Sequence, residues 1–232
     1  MRYTAIFIAL FFCSVTFAQK AAPKPTPKKT PEAVPVKSSI VETDELGRVE
    51  GRTYTNTVFS FQITFPDTWL IPDRDFEEFM KSQGHDISLK APDNVGRAGK
   101  VQIDKALEKV KMLVTGYRAL PGMADNAILR VSVEDLRLNP AVKDAVDYFD
   151  LMRSQFAVMK LPADFKYSET QAEKLGAKQF GFIDTTSNAG KKRMYATVRN
   201  GFAIMFTLTY SKPDDLATMR QILAGGNFAL TK

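Results

Sequence analysis

Apolar and polar residues alternate one by one in the first clearly patterned stretch of the chain, residues 59–65. Phe59, Phe61, Ile63 and Phe65 are apolar, and the residues between them are polar. A period of two is typical of a strand with one buried face. Shorter or two-sided patterns predict further strands at residues 112–120, 128–136, 165–170, 177–186, 192–199 and 202–210. Asn200-Gly201 predicts a tight type I′ hairpin between the last two, because both residues tolerate positive φ angles.

Apolar residues three or four positions apart predict four helices. They cover residues 73–83, 101–110, 139–161 and 213–224. In the third, Asn139 is the predicted cap and Pro140 the first helical residue. Its apolar stripe is Val142, Val146, Phe149, Met152, Phe156 and Met159. Such a stripe packs in a core or, less commonly, lines a ligand groove.

The order of these elements, rich in hairpins, predicts an α+β fold. We expect a mostly antiparallel sheet with helices on both faces. We assign this single globular domain to residues 49–232.

A leader and a linker precede that domain. Arg2, the apolar run 5–15 and the small residues before Gln19 predict a secretory signal peptide at residues 1–18. Residues 19–48 form a Lys/Pro-rich linker, in which prolines favour an extended spacer. We therefore expect an exported protein, periplasmic or secreted, from a bacterial source.

Charge and cysteine content exclude several classes of site. The chain has 32 Lys+Arg and 26 Asp+Glu, a net charge of +6. Arg2 and the five lysines of residues 19–38 take six of the basic residues, and Glu32 takes one acid, so the chain from residue 39 onward has 26 basic and 25 acidic residues and is nearly neutral. A nucleic-acid-binding face is not supported. The only cysteine, Cys13, lies in the leader, so the exported chain has no disulfide and no thiolate site.

Two segments carry a family resemblance. Tyr54-x-Asn56, Phe59-x-Phe61, Phe65-Pro66 and Trp69 form the first, and residues 199–210 followed by an acidic helix start form the second. Together they resemble the PsbP-like α/β/α sandwich family and its exported bacterial members. The resemblance covers most of residues 51–228 and implies the fold. Its motifs are hydrophobic patterns and a Pro-x-x-Trp corner, and they carry no catalytic residue across.

Recognisable catalytic and cofactor motifs are absent from the sequence. It has no phosphate-binding loop, zinc-protease helix, nucleophile elbow or calcium loop. His85 is the only histidine, and a position just after a helix favours a loop or capping role over catalysis. Asp144, Asp147 and Asp150 share a helix and predict a solvated face or a weak cation site. Glu134-Asp135 and Asp214-Asp215 are interpreted as a strand end and a helix start. We therefore expect no cofactor.

Six residues remain as candidate partner contacts: Tyr54, Trp69, His85, Lys191, Lys192 and Arg193. The two aromatics either anchor the corner in the core or stack on a partner. The three basic residues are interpreted as a solvated hairpin tip, with anion binding as the alternative.

The leading functional hypothesis is a non-enzymatic interaction domain that engages an envelope protein. The alternative is a small-ligand-binding protein or a carboxylate-dependent enzyme with a cleft between sheet and helices. A third hypothesis is weak contact of the linker lysines with a membrane surface.

Overall fold

The computed structural model describes residues 44–82, 109–121, 123, 125–158, 161–188 and 190–230. A 3-10 turn at Asp44–Leu46 is followed by strands β1 Arg48–Glu50, β2 Thr53–Asn56 and β3 Phe61–Thr64, then helix α1 Arg74–Ser82. The next elements are β4 Val110–Tyr117, β5 Ile128–Asp135, helix α2 Ala145–Val158, β6 Lys166–Tyr167, β7 Gln171–Leu175 and β8 Lys178–Ser187. The described chain closes with β9 Gly190–Arg199, β10 Phe202–Tyr210 and helix α3 Pro213–Ala224.

Several predictions concern residues outside this description. They are the signal peptide, the linker up to residue 43, His85, and the predicted helix at 101–110 apart from its last two residues. Val110, the last residue of that predicted helix, is instead the first residue of β4.

The main sheet runs in the order β4-β5-β10-β9-β8-β6, with β7 also paired to β8. Every described pairing in it is antiparallel. A second sheet, β1-β2-β3, is also antiparallel. The predicted α+β class with a mostly antiparallel sheet is therefore confirmed.

Helices cover both faces of the main sheet, as predicted. Along β10, Ala203 and Met205 enter a core under α2, while Ile204, Phe206 and Leu208 enter a core on the opposite face. The second core also holds residues of the small sheet and of α3. We call these the α2 side and the α3 side. On the α2 side, the missing Cβ of Gly181 lets the helix approach closely, since a Cβ there would lie 2.9 Å from that of Ala145.

The predicted Asn-Gly hairpin is confirmed. Asn200 and Gly201 connect β9 to β10 with φ angles of 51° and 77°. A type I′ turn requires both to be positive, and its twist matches the twist of the flanking strands.

The predicted start of the long helix is wrong. Residues 139–141 form turns, and α2 begins at Ala145. The Asp144 side chain accepts hydrogen bonds from the backbone N–H groups of Val146, at 2.8 Å, and Asp147, at 3.0 Å. Asp147 accepts one in return from the backbone N–H of Lys143. The helix begins here and not at Pro140, because these two aspartates satisfy three backbone N–H donors at the helix start.

The last residues of the predicted linker are part of the fold. The Tyr54 hydroxyl donates to the carbonyl of Leu46 at 2.7 Å, and the Asn56 amide donates to that of Glu45 at 3.0 Å. Glu45 also pairs with Lys111 on β4. Residues 44–46, which the sequence assigned to the linker, therefore contact β2 and β4.

Candidate functional site

Part of the α2 side is polar. Helix α2 packs on β8 and β9. The side chains of β5 point alternately to the α3 side and to the α2 side. Leu129, Val131 and Val133 enter the α3-side core. Arg130 and Ser132, which alternate with them, therefore face the α2 side. Both are buried, with only 6% and 1% of their surfaces exposed.

Strand register collects more polar groups around them. Arg130 lies opposite Thr207 of β10, and Thr209 of β10 lies opposite Lys192 of β9. Directly opposed residues share a face with Cβ atoms about 5 Å apart. We call Arg130, Ser132, Lys192, Thr207 and Thr209 the hydroxyl–cation patch.

The patch has unused hydrogen-bonding capacity. The side-chain hydroxyls of Ser132, Thr207 and Thr209 are buried without a hydrogen-bond partner. Within the described chain, the Arg130 guanidinium also forms no hydrogen bond or ion pair. Leaving a buried polar group unsatisfied costs about 1–3 kcal/mol, which applies to the three hydroxyls, because no Arg130 nitrogen is among the fully buried atoms without a partner. Clusters of such groups are uncommon in folded proteins, so this cluster is a candidate site.

Glu134 follows Arg130 and Ser132 on the same face of β5, but it adds little negative charge to the patch. It is 1% exposed and accepts a hydrogen bond of 3.0 Å from the Tyr148 hydroxyl on α2. Burial raises the pKa of Glu134 to about 8, although the Tyr148 hydrogen bond and nearby Lys109 oppose the shift. The carboxyl group is therefore mostly protonated at pH 7, and the positive charge of Arg130 stays uncompensated by it.

The α3 side carries a different, closed polar network. Arg193 on β9 donates to both carboxylate oxygens of Asp184 on β8, at 2.7 and 2.5 Å, and lies 4.4 Å from the ring centre of Phe182. Tyr195 donates to Glu173 at 2.5 Å, and Arg220 of α3 pairs with the same carboxylate. Every charge in this network has a partner, which indicates a structural connection between β7, β8, β9 and α3.

The structure separates the sequence-predicted contact residues. Tyr54 and Trp69 are 1% and 2% exposed and belong to the α3-side core, in agreement with their core interpretation. Because side chains alternate along β9, Arg193 points to the α3 side and belongs to the network above, whereas Lys192 points to the α2 side and belongs to the patch. Lys192 is 4% exposed, and only Lys191 of the three basic residues is exposed. The solvated-tip interpretation is therefore wrong for Lys192. His85 lies outside the described residues.

The predicted acidic clusters have structural partners. Asp144 and Asp147 cap α2, and Asp150 accepts a 2.5 Å hydrogen bond from Thr170. Asp215, at the start of α3, is buried and forms a 2.7 Å ion pair with Arg118. Among the described residues, no group of three or more His, Cys, Asp or Glu side chains could hold a metal ion.

A small cleft opens between β3 and α3. It has a volume of about 210 Å³ and is lined by Thr64, Phe65, Pro66, Thr218, Gln221, Ile222 and Gly225. Its lining holds no charged side chain, and its polar side chains are those of Thr64, Thr218 and Gln221.

The sequence interpretation missed the patch and Glu134. The signal was present: Arg130, Ser132 and Glu134 alternate with apolar residues in β5. This stretch was interpreted only as one of two paired strands, with Glu134-Asp135 as a strand end. However, β5 lies between β4 and β10, and Arg130, Ser132 and Glu134 are at most 6% exposed.

No family model matches the sequence, and no curated protein matches it. Among solved structures, the chain is similar to the solution structure of cyanobacterial PsbP (CyanoP) from Synechocystis sp. PCC 6803. The identity is 13% and the TM-score 0.40, over 77% of this chain and 95% of that chain. A likeness at this level assigns neither a family nor a function, and the α+β class rests on the sheet itself.

In the described part of the chain, no helix is both long enough and apolar enough to cross a membrane.

Proposed function

We propose that this protein is an exported, non-enzymatic binding domain that holds the anionic group of a small ligand on the hydroxyl–cation patch. One observation carries the proposal: three buried hydroxyls without a hydrogen-bond partner lie beside a buried arginine. An anion that accepts from the hydroxyls would offset the cost of leaving them unsatisfied, and the guanidinium would pair with its charge.

Binding is a better account of this site than catalysis. The patch presents cations and hydroxyls, and none of its five residues is a histidine or a carboxylate that would activate a hydroxyl as a nucleophile. Glu134 is occupied by Tyr148 and lies two positions along β5 from Ser132. The leader and the linker support export, in keeping with a domain held at a distance from its point of attachment.

The deep burial of Arg130 favours a small ligand over a flat protein surface. A protein partner in the envelope is a second candidate, favoured by two exposed apolar side chains in the β4–β5 connection. Leu120 is 59% exposed and Met123 60%. If this end of the sheet docks a protein, L120S/M123S abolishes cross-linking to that protein and leaves anion binding intact.

Isothermal titration calorimetry on the full chain tests the proposal. A panel of phosphate, sulfate, acetate and succinate is titrated at ionic strength fixed with sodium chloride, so that general salt effects cancel. We expect at least one anion to bind the wild type and not Arg130→Met. Lys191→Met is the matched control, because Lys191 is next to Lys192 in sequence but is exposed. Absence of binding by every anion, or equal binding by Arg130→Met, contradicts the proposal.

A further inference from the structure

The hydroxyl–cation patch has more donors than a carboxylate can use. Arg130 contributes a planar fork of N–H donors and has no acceptor, and each of the three hydroxyls contributes one donor. A carboxylate has two oxygens in one plane with about four lone-pair sites, of which a guanidinium fork uses two. At least one of the hydroxyls of Ser132, Thr207 and Thr209 would then stay without a partner in the bound state.

The donors also come from several directions. Thr207 lies across the strand from Arg130, Ser132 lies two residues along β5, and Thr209 lies diagonally on β10. The corresponding Cβ separations are about 5 Å across strands and about 7 Å along a strand. Donors on side chains of two strands approach a ligand from more than one plane, which suits a tetrahedral anion better than a planar two-oxygen group.

We propose that the patch recognises a tetrahedral oxyanion of the phosphate class, either inorganic phosphate or the phosphoryl group of a phosphomonoester. This proposal deepens the proposed function and rests on it. Arg130 binds two oxygens through its fork, and the hydroxyls of Thr207 and Ser132 donate to the others. No step of bond making or breaking is involved.

Calorimetric titration of the full chain, at fixed ionic strength, tests the anion class. The probes are inorganic phosphate, sulfate, phenyl phosphate, acetate and phenylacetate. We expect phosphate or phenyl phosphate to bind at least about tenfold more tightly than either carboxylate, since the tetrahedral anion gains one or more charge-assisted hydrogen bonds. Tighter binding of phenyl phosphate identifies a phosphomonoester, and tighter binding of inorganic phosphate identifies the free ion.

Two variants tie this binding to the patch. Arg130→Met should abolish phosphate binding. Thr207→Val, which keeps the shape of the side chain and removes only the hydroxyl, should weaken it about tenfold without loss of folding by circular dichroism. Lys191→Met should bind like the wild type.

The two proposals fail separately. Carboxylates that bind as tightly as phosphate, with loss in Arg130→Met, overturn the phosphate class and leave the proposed function intact. Phosphate binding that survives both Arg130→Met and Thr207→Val overturns the placement of the site. If no probe binds the wild type, both proposals are overturned.

Discussion

Glu134 should make the stability of the protein depend on pH between about 5 and 8. Its carboxyl is buried under α2 and accepts from the Tyr148 hydroxyl, and burial raises its pKa from 4.5 to about 8. In the unfolded chain the pKa returns to its ordinary value. Between these values the folded state holds a proton that the unfolded state has released, so the free energy of unfolding falls as pH rises.

The size of the effect follows from the shift. Each unit of pKa difference corresponds to about 1.4 kcal/mol. From pH 5 to pH 8 the wild type should therefore lose about 3 to 4 kcal/mol of stability through this one group. Glu134→Gln keeps the size of the side chain and an acceptor for Tyr148 but cannot ionise. Its stability should change far less over that range and should exceed that of the wild type at pH 8.

Urea unfolding of the full chain, monitored by circular dichroism at four pH values between 5 and 8, gives the dependence of the unfolding free energy on pH for the wild type and for Glu134→Gln. Asp135→Asn is the matched control. Asp135 is the next residue, its hydrogen bonds with Arg137 lower its pKa to about 2, and its charge is therefore constant over this range. A wild-type slope retained in Glu134→Gln would refute the reasoning, because it would place the titration in another group.

Three further predictions follow from individual contacts, each measured by urea unfolding at pH 7. Thr207→Val should stabilise the ligand-free protein by about 1 kcal/mol, because it removes a buried hydroxyl without a partner, and a destabilised variant would show that this hydroxyl is satisfied. Asp144→Ala should destabilise the protein by about 1 kcal/mol by removing the α2 cap, whereas Asn139→Ala, the cap predicted from sequence, should cost less; the reverse order would contradict the observed helix start. Gly201→Ala should cost about 1 kcal/mol or more, because φ is 77° and the new Cβ would lie 3.0 Å from Cγ of Arg137; an unchanged midpoint would count against the type I′ turn.

The sequence predicted those parts of the fold that depend on local chemistry. Asn200-Gly201 gave the hairpin because few residue pairs adopt two positive φ angles. Pro213 and Gly225 bounded α3 correctly for similar reasons. The start of α2 was missed, because Asn139-Pro140 and Asp144 are both plausible caps by residue type and only the backbone geometry distinguishes them.

The candidate site depends on the pairing of strands that are far apart in the chain. Neither the period of the apolar residues nor the composition of the sequence specifies that pairing. Arg130 and Thr207 are 77 positions apart in the chain and opposite each other in the sheet. Similarly, Lys192 appeared in the sequence as one member of a basic run. Because side chains alternate along β9, Lys192 points to the α2 side and Arg193 to the α3 side. A tripeptide interpreted as one cationic tip thus divides between two faces of a sheet.

A crystal structure of the full chain grown with selenate, a tetrahedral oxyanion with an anomalous signal, tests the central claim most directly. We expect an anomalous peak on the α2 side, with selenate oxygens within about 3 Å of the Arg130 guanidinium and the Thr207 hydroxyl. The peak should be absent from crystals of Arg130→Met. A structure in which selenate lies elsewhere, while Arg130 pairs with a carboxylate of its own chain, would contradict the account.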